Sequence, residues 1–207
     1  MPNVSNVKSK FFGAVAATDA DGISTTASIS GAAALTINGT LTSGGSYTSG
    51  DNIGQLVTIL SAADDSGITF TVVGTDAVGD ALTEVVTGAS GAPGTATSSG
   101  YFNTVTSITT SAATAGDVSA GVTGTGTGTV FAGRTRIRGL QGLSGTSAGN
   151  LLFKNTSVTG TTLLTVPTQA AAELIEPYIP DNAVLFDAGA YVNFGSAVAT
   201  VTVFYDG

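Results

Sequence analysis

The sequence predicts an all-β protein: two small antiparallel β-sandwich or jelly-roll-like modules with an extended N-terminal arm. Three observations predict it. Runs rich in Thr, Val and Ile alternate apolar with polar residues; Gly, Asn and Asp punctuate those runs; and no window carries a 3.6-residue apolar period. A chain of 207 residues can bury one large or two small cores without disulfides or metals.

Residues 1–30 are rich in Ala, Ser and Gly, with few apolar anchors beyond Phe11, Phe12 and Val15, and read as the arm. The first module is expected over 31–120. In ALTINGTLTSG the pair Asn38-Gly39 between β-rich runs predicts a type I′ hairpin. Strands follow at 55–62 (QLVTILSA), 67–75 (GITFTVVGT), 81–88 (ALTEVVTG) and 101–110 (YFNTVTSITT). In the second of these, Ile68, Phe70 and Val72 share one face and Thr69 and Thr71 the other, the pattern of a sheet with one wet side. Threonine suits such strands because its branched Cβ fits the pleat while its hydroxyl gives an uncharged polar surface.

GVTGTGTGTV, the expected connection at 121–130, reads as a flexible connection or, as the alternative, a poor edge strand; the connection is preferred because glycine weakens strand interiors. A second module is expected over 131–207, with strand runs at 129–142, 150–157, 161–166, 183–189 and 198–207. Pro177 and Pro180 exclude a long helix in 171–181, leaving a helical turn or an edge strand at 171–176.

Charge narrows the function. Six Lys and Arg with 14 Asp and Glu make only 10% charged residues, against about 25% in an ordinary domain. From Phe11 to Gly133 there is no basic residue and there are nine carboxylates, so this segment repels a phosphate backbone and nucleic-acid binding is not expected. The start of the chain has no apolar run long enough for a membrane span or signal core, and no membrane association is expected. Cys, His and Trp are absent, which removes thiolate and imidazole metal sites and the usual nucleophile–base pairs. No enzyme activity is expected.

Carboxylates in turns (Asp19-Ala20-Asp21-Gly22, Asp64-Asp65, and Asp76 with Asp80) raise calcium as a candidate ligand. Their spacing supplies only fragments of a calcium loop, and the reading preferred is that Asp caps turns by accepting nearby backbone N–H groups, with no cofactor bound. Glu173 with Glu176, or Asp76 with Asp80, would be the carboxylate pairs of a glycosidase, but neither has a Trp platform beside it. Arg134, Arg136 and Arg138 at i, i+2 and i+4 project from one face of a strand. They serve as a docking row for the carboxylates of a partner or of another copy, as partners for the acidic half of the same chain, or only to keep an edge strand from aggregating. With Lys8, Lys10, Phe11 and Phe12 of the arm they are the candidate partner contacts.

The progression MPNVSNVKSKFFGAVAATDADGIS, ALTINGTLTSGG, DSGITFTVVGTDAVG, LTEVVTG and YFNTVTSI resembles a widespread group of tailed-bacteriophage virion proteins. RTRIRG, NLLFKN, GTTLLTV, IPDNAVLFDAGAYV and VTVFYDG resemble a second small β module of phage particles, so the resemblance covers nearly the whole chain. It implies a non-enzymatic virion component made in the host cytoplasm. The expected role is a capsid decoration (cement) protein, a dimer or trimer that binds the outside of the major capsid protein lattice and stabilises the head. The alternatives are a tail or fibre component, or a receptor- or carbohydrate-binding module using Tyr101, Tyr178 and Tyr191.

Overall fold

The computed structural model describes residues 6–170, 172–180, 182–195 and 198–207. The described chain is all-β, built of antiparallel sheets with no helix. It divides into two compact units. One, the split unit, takes the described residues up to Val15 together with Thr127–Gly207; the other, the inserted unit, is Ala16–Gly126.

The split unit opens with β1 (Val7–Phe12). The inserted unit then supplies β2 (Asp19–Ser28), β3 (Thr42–Ser43), β4 (Ser46–Thr48), β5 (Gly54–Ser61) and β6 (Thr69–Thr75). It continues with β7 (Ala81–Thr87), β8 (Gly94–Phe102), β9 (Thr104–Thr110) and most of β10 (Asp117–Phe131). The chain returns to the split unit for β11 (Thr135–Ser144), β12 (Gly149–Asn155), β13 (Thr162–Thr168) and β14 (Leu174–Ile175). It ends with β15 (Val184–Phe186), β16 (Ala190–Gly195) and β17 (Val198–Asp206).

In the inserted unit one sheet runs β3-β4-β9-β6-β7, and the opposing layer places β8 beside β5, β5 beside β10, and β2 on β10. The strands alternate as the sequence demands: Phe70 and Val72 of β6 are fully buried while Thr69, Thr71 and Val73 are half-exposed. Both layers fill one core, with Phe70, Val72, Val105 and Ile108 from one and Ile23, Val57, Ile59, Phe102 and Val118 from the other. Each such side chain removed from water contributes about 1.5–3 kcal/mol. The two sheet margins are joined by Glu84 of β7. Its Oε1 accepts hydrogen bonds from the Ser99 N–H (2.7 Å) and hydroxyl (2.8 Å), and its Oε2 from the Gly100 N–H (2.8 Å), all on β8.

The split unit is a second sandwich. One sheet runs β1-β17-β11-β14 with β15 also on β11; β13, β12 and β16 follow one another in the other. Phe12 of β1 meets Phe194 of β16 edge-on at 6.2 Å between ring centroids, and Ile137, Phe153, Phe186, Val201 and Val203 are buried around them.

Several expectations are corrected. The arm is not free chain: residues 7–12 pair along β17 and residues 19–28 along β10, while residues 1–5 lie outside the described residues. Its few apolar residues suffice because each strand is completed by a partner far along the sequence. The Gly/Thr run at 121–130 is strand rather than connection, so the module boundaries at 31, 120 and 131 give way to a cut inside β10. Glycine is required there: a Cβ on Gly121 would lie 1.7 Å from the Asp19 carbonyl oxygen, where β2 bulges against β10.

The hairpin lies not at Asn38-Gly39 but at Gly44-Gly45 between β3 and β4, where φ values of 62° and 79° suit a type I′ turn. Asn38 instead accepts the Thr25 N–H and hydroxyl on its Oδ1, each at 3.0 Å, binding an irregular segment to β2. The run 101–110 is two strands broken at Asn103, whose amide donates to the Ile53 carbonyl at 2.7 Å. Of the 171–176 alternatives, an edge strand forms at Leu174–Ile175; Ala171 lies outside the described residues.

A buried amide ties the inserted unit together. Gln55 of β5 is fully buried; its Nε2 donates to the carbonyls of Ala16 (3.0 Å) and Thr123 (2.6 Å), and its Oε1 accepts from the hydroxyls of Tyr47 (2.8 Å) and Ser49 (3.1 Å). Burial pushes the Tyr47 phenol up to about 12, with Ser49 acting the other way. The unfolded chain ionises this phenol near the ordinary tyrosine value of 10.0, so the stabilisation is complete below that pH and is lost as pH rises through about 12. Denaturant titrations should therefore show stability falling by roughly 2–3 kcal/mol above that of a Tyr47→Phe variant across this window. Parallel curves for the two proteins would remove Tyr47 from the alkaline transition.

Candidate interaction face

The face is built on β1, β17 and β11, which lie side by side in the split unit. Along β17, Val201, Val203 and Tyr205 point to the core, so Thr202, Phe204 and Asp206 point out. The registers Phe11↔Thr202 and Val7↔Asp206 place Val7 and Phe11 on that outer side, and they are 45% and 43% exposed. On β11, Thr135, Ile137 and Leu140 are buried, and Arg136, Arg138, Gln141 and Leu143 face outward. Leu174 stands opposite Leu143 and is 63% exposed. The outer side thus carries exposed apolar residues with arginines at one end.

The arginines are already engaged within the chain. Arg138 holds Asp206 with Nε at 2.7 Å and a second guanidinium nitrogen at 2.6 Å from the same carboxylate oxygen. A bulge between Ile137 and Gly139 sets this approach. The hydrogen bond that Arg138 donates to the Asp206 carboxylate raises the Arg138 pKa further. Arg136 donates to the Asn182 carbonyl at 2.5 Å, and the Thr135 hydroxyl donates to the Asp206 carbonyl. Arg134 precedes β11, is exposed, and lies 3.8 Å from Asp187. Arg134, Arg136 and Leu185 line an open hollow of about 210 Å³ with Asp206 and Gly207.

Of the other expected contacts, Phe12 is core. Lys8, on the same side of β1, extends over the Phe131 ring at 5.8 Å, and Phe131 stacks on Tyr205. Lys10 is half-buried, and burial lowers its pKa. Sequence spacing therefore brings Phe11, Arg136 and Arg138 to one surface and turns Lys8, Lys10 and Phe12 away from it. Val7, Leu143 and Leu174 complete the face; the period-2 rule applied to β1 and β11 would have found Val7 and Leu143, whereas Leu174 joins them only through the pairing of β14 with β11.

The turn carboxylates serve the backbone. Asp76 Oδ1 accepts the N–H groups of Val78 (2.9 Å) and Asp80 (3.0 Å). Asp64 accepts the hydroxyl (2.6 Å) and N–H (3.0 Å) of Ser66, which hold its pKa below the ordinary range. Burial raises the Asp19 pKa, but the Asp21 and Gly22 N–H groups and the Thr40 hydroxyl together outweigh it and keep it low. Asp65 is buried, with Oδ1 accepting the Ala115 N–H at 2.8 Å. Among the described residues no three acidic side chains converge as a metal site would require. Tyr178 is 85% exposed after β14, whereas Tyr101 and Tyr191 are half-buried on β8 and β16.

Comparison with family models, with curated proteins and with solved structures gave no match.

Two measurements check these placements. Phe12→Ala should cost about 3–5 kcal/mol in urea unfolding, while Phe11→Ser should change stability by less than about 1 kcal/mol. Similar losses at both positions would refute the assigned facing of β1. The melting temperature should be the same in millimolar calcium and in chelator; a rise with calcium would show that the Asp turns do more than cap.

Proposed function

We propose that this chain is a non-enzymatic structural protein of a tailed-phage particle: a capsid decoration protein that binds the outside of the major capsid protein lattice and stabilises the head. The observation that carries the reading is the outer side of the β1-β17-β11 sheet, where Val7 and Phe11 of β1 and, at the far end of β11, Leu143 and Leu174 are exposed, with Arg136 and Arg138 at the near end. Soluble monomers seldom leave such apolar residues grouped on one sheet face, and grouped exposure of this kind marks an interaction surface.

The sequence resemblance supplies the particle, and the composition suits it. Hydroxyl-rich strands give an outer surface that is wet but weakly charged. A small face of this kind binds weakly once, and repetition over a lattice, or within a dimer or trimer of the chain, multiplies the effect. Asp19, Asp64, Asp65, Asp76 and Glu84 of the inserted unit each accept backbone N–H groups, which favours a structural over a catalytic part for them.

The test is gold-tagged antibody labelling of parent particles, wild type against a Phe11→Ser/Leu174→Ser double variant. Label spread over heads, lost in the variant together with resistance of the heads to heat and osmotic shock, is the expected result. Label confined to tails would replace decoration by a tail or fibre role, and unlabelled particles would sink the virion reading altogether.

A further inference from the structure

At the open end of the split unit the two sheets terminate in β13 and β14, and the gap between these edge strands is a slot of about 250 Å³. Its floor consists of the inward side chains Val166 and Thr168 of β13, Ile175 of β14 and Ser144 of β11. Its rim carries Pro167, Leu174 and Pro177 together with Glu173 and Glu176. This volume falls below the roughly 300–1,000 Å³ of small-molecule pockets and suits one long side chain rather than a drug-sized ligand or an oligosaccharide.

Two observations fix the chemistry of that side chain. Thr168 is only 5% exposed, and its Oγ1 is buried on the slot floor with no hydrogen-bond partner, a costly arrangement unless something fills it. Ser144 does not share this need, because its Oγ accepts the Glu173 N–H at 2.8 Å. Secondly, among the described residues the Glu173 and Glu176 carboxylates form no ion pair or hydrogen bond.

Among the described residues no cation meets them. All six basic residues lie in the split unit: Arg134, Arg136 and Arg138 are committed at the other end of β11, Lys8 covers Phe131, Lys10 lies on β1, and Lys154 stands on β12 opposite Tyr191 and Thr162. Pro167 and Pro177 lack N–H groups, so the rim is a poor template for an added strand and a side chain is the better occupant.

We propose that this slot receives a lysine or arginine side chain presented by a partner protein. The aliphatic stem lies against Val166, Ile175 and Pro177, and the cationic head donates to Thr168 Oγ1 and to the carboxylates of Glu173 and Glu176. Leu174 is the one residue the slot shares with the outer apolar face, and Glu173, Glu176 and Thr168, which that face does not include, are the residues to vary.

The probe is a capped pentapeptide with a central lysine flanked by threonines, titrated into the full isotope-labelled chain and followed by amide chemical shifts. Shifts should centre on 144, 166–169 and 173–177. Replacing the peptide's lysine with norleucine, or changing Glu173→Gln with Glu176→Gln, should each weaken binding about tenfold or more. Thr168→Val should weaken binding while the melting temperature holds or rises, since it removes an unpaired buried hydroxyl from the free protein. Equal binding of the lysine and norleucine peptides, shifts elsewhere, or no shifts at all would overturn the proposal, and binding unchanged in Thr168→Val would overturn the role of the hydroxyl.

Discussion

The inserted unit depends on satisfying one fully buried amide. Gln55 sits where β5, β10, the chain entering β2, and the β4 region meet, and its two donors and its acceptor oxygen are matched by two carbonyls and two hydroxyls. The Ala16 and Thr123 carbonyls sit beside the irregular β2–β10 pairing, where ladder bonds are interrupted by register shifts. A buried carbonyl left without a donor there would cost about 1–3 kcal/mol. An apolar side chain at 55 would bury well enough yet orphan four polar groups at once, so the site specifies an amide rather than mere bulk. Register at the β2–β10 bulges and the position of Tyr47 both follow from it.

The same logic explains how the inserted unit carries nine carboxylates with no Lys or Arg of its own. Charge neutralisation by ion pairs is not available within the unit. Backbone N–H groups take the role instead: Asp64 and Asp76 turn on themselves, Asp19 gathers the start of β2, and Glu84 binds two successive amides of β8. Hydrogen bonds to an ionised acceptor are roughly twice as strong as neutral ones, which offsets part of the mutual repulsion. Glu84 also closes the margin between β7 and β8, so an acid that looks solvated in sequence is a fastening between sheets.

What the sequence made legible was whatever a single strand determines by itself. Thr69 to Val73 alternate cleanly, and the strand, its wet face and its buried Phe70 and Val72 could all be read before any partner was known. What it hid was decided by partners. Residues 7–12 carry two lysines on their inward side, which no rule of periodicity would place against an aromatic ring, and only β17 and Phe131 make sense of them. Gly121 lowers strand propensity when considered alone and is indispensable once the Asp19 carbonyl lies against it. The arginine row was legible as a row. That Asp206, almost 70 residues away in sequence, would hold Arg138 was not, because a bulge sets the approach and bulges leave no fixed sequence mark.

The two ends of the β11 sheet therefore differ in kind. At one end Arg138 and Asp206 neutralise each other, and Arg136 is spent on a backbone carbonyl; a partner approaching there gains chiefly from the apolar residues nearby. An exposed ion pair of this sort contributes little free energy, since solvent and salt screen it, but it fixes the orientation of guanidinium groups on the surface. At the other end, among the described residues, Glu173 and Glu176 have no cation, and a buried hydroxyl beneath them has no partner. Charge left unpaired beside an apolar slot confers preference for one sign of visitor, whereas charge already paired confers only geometry.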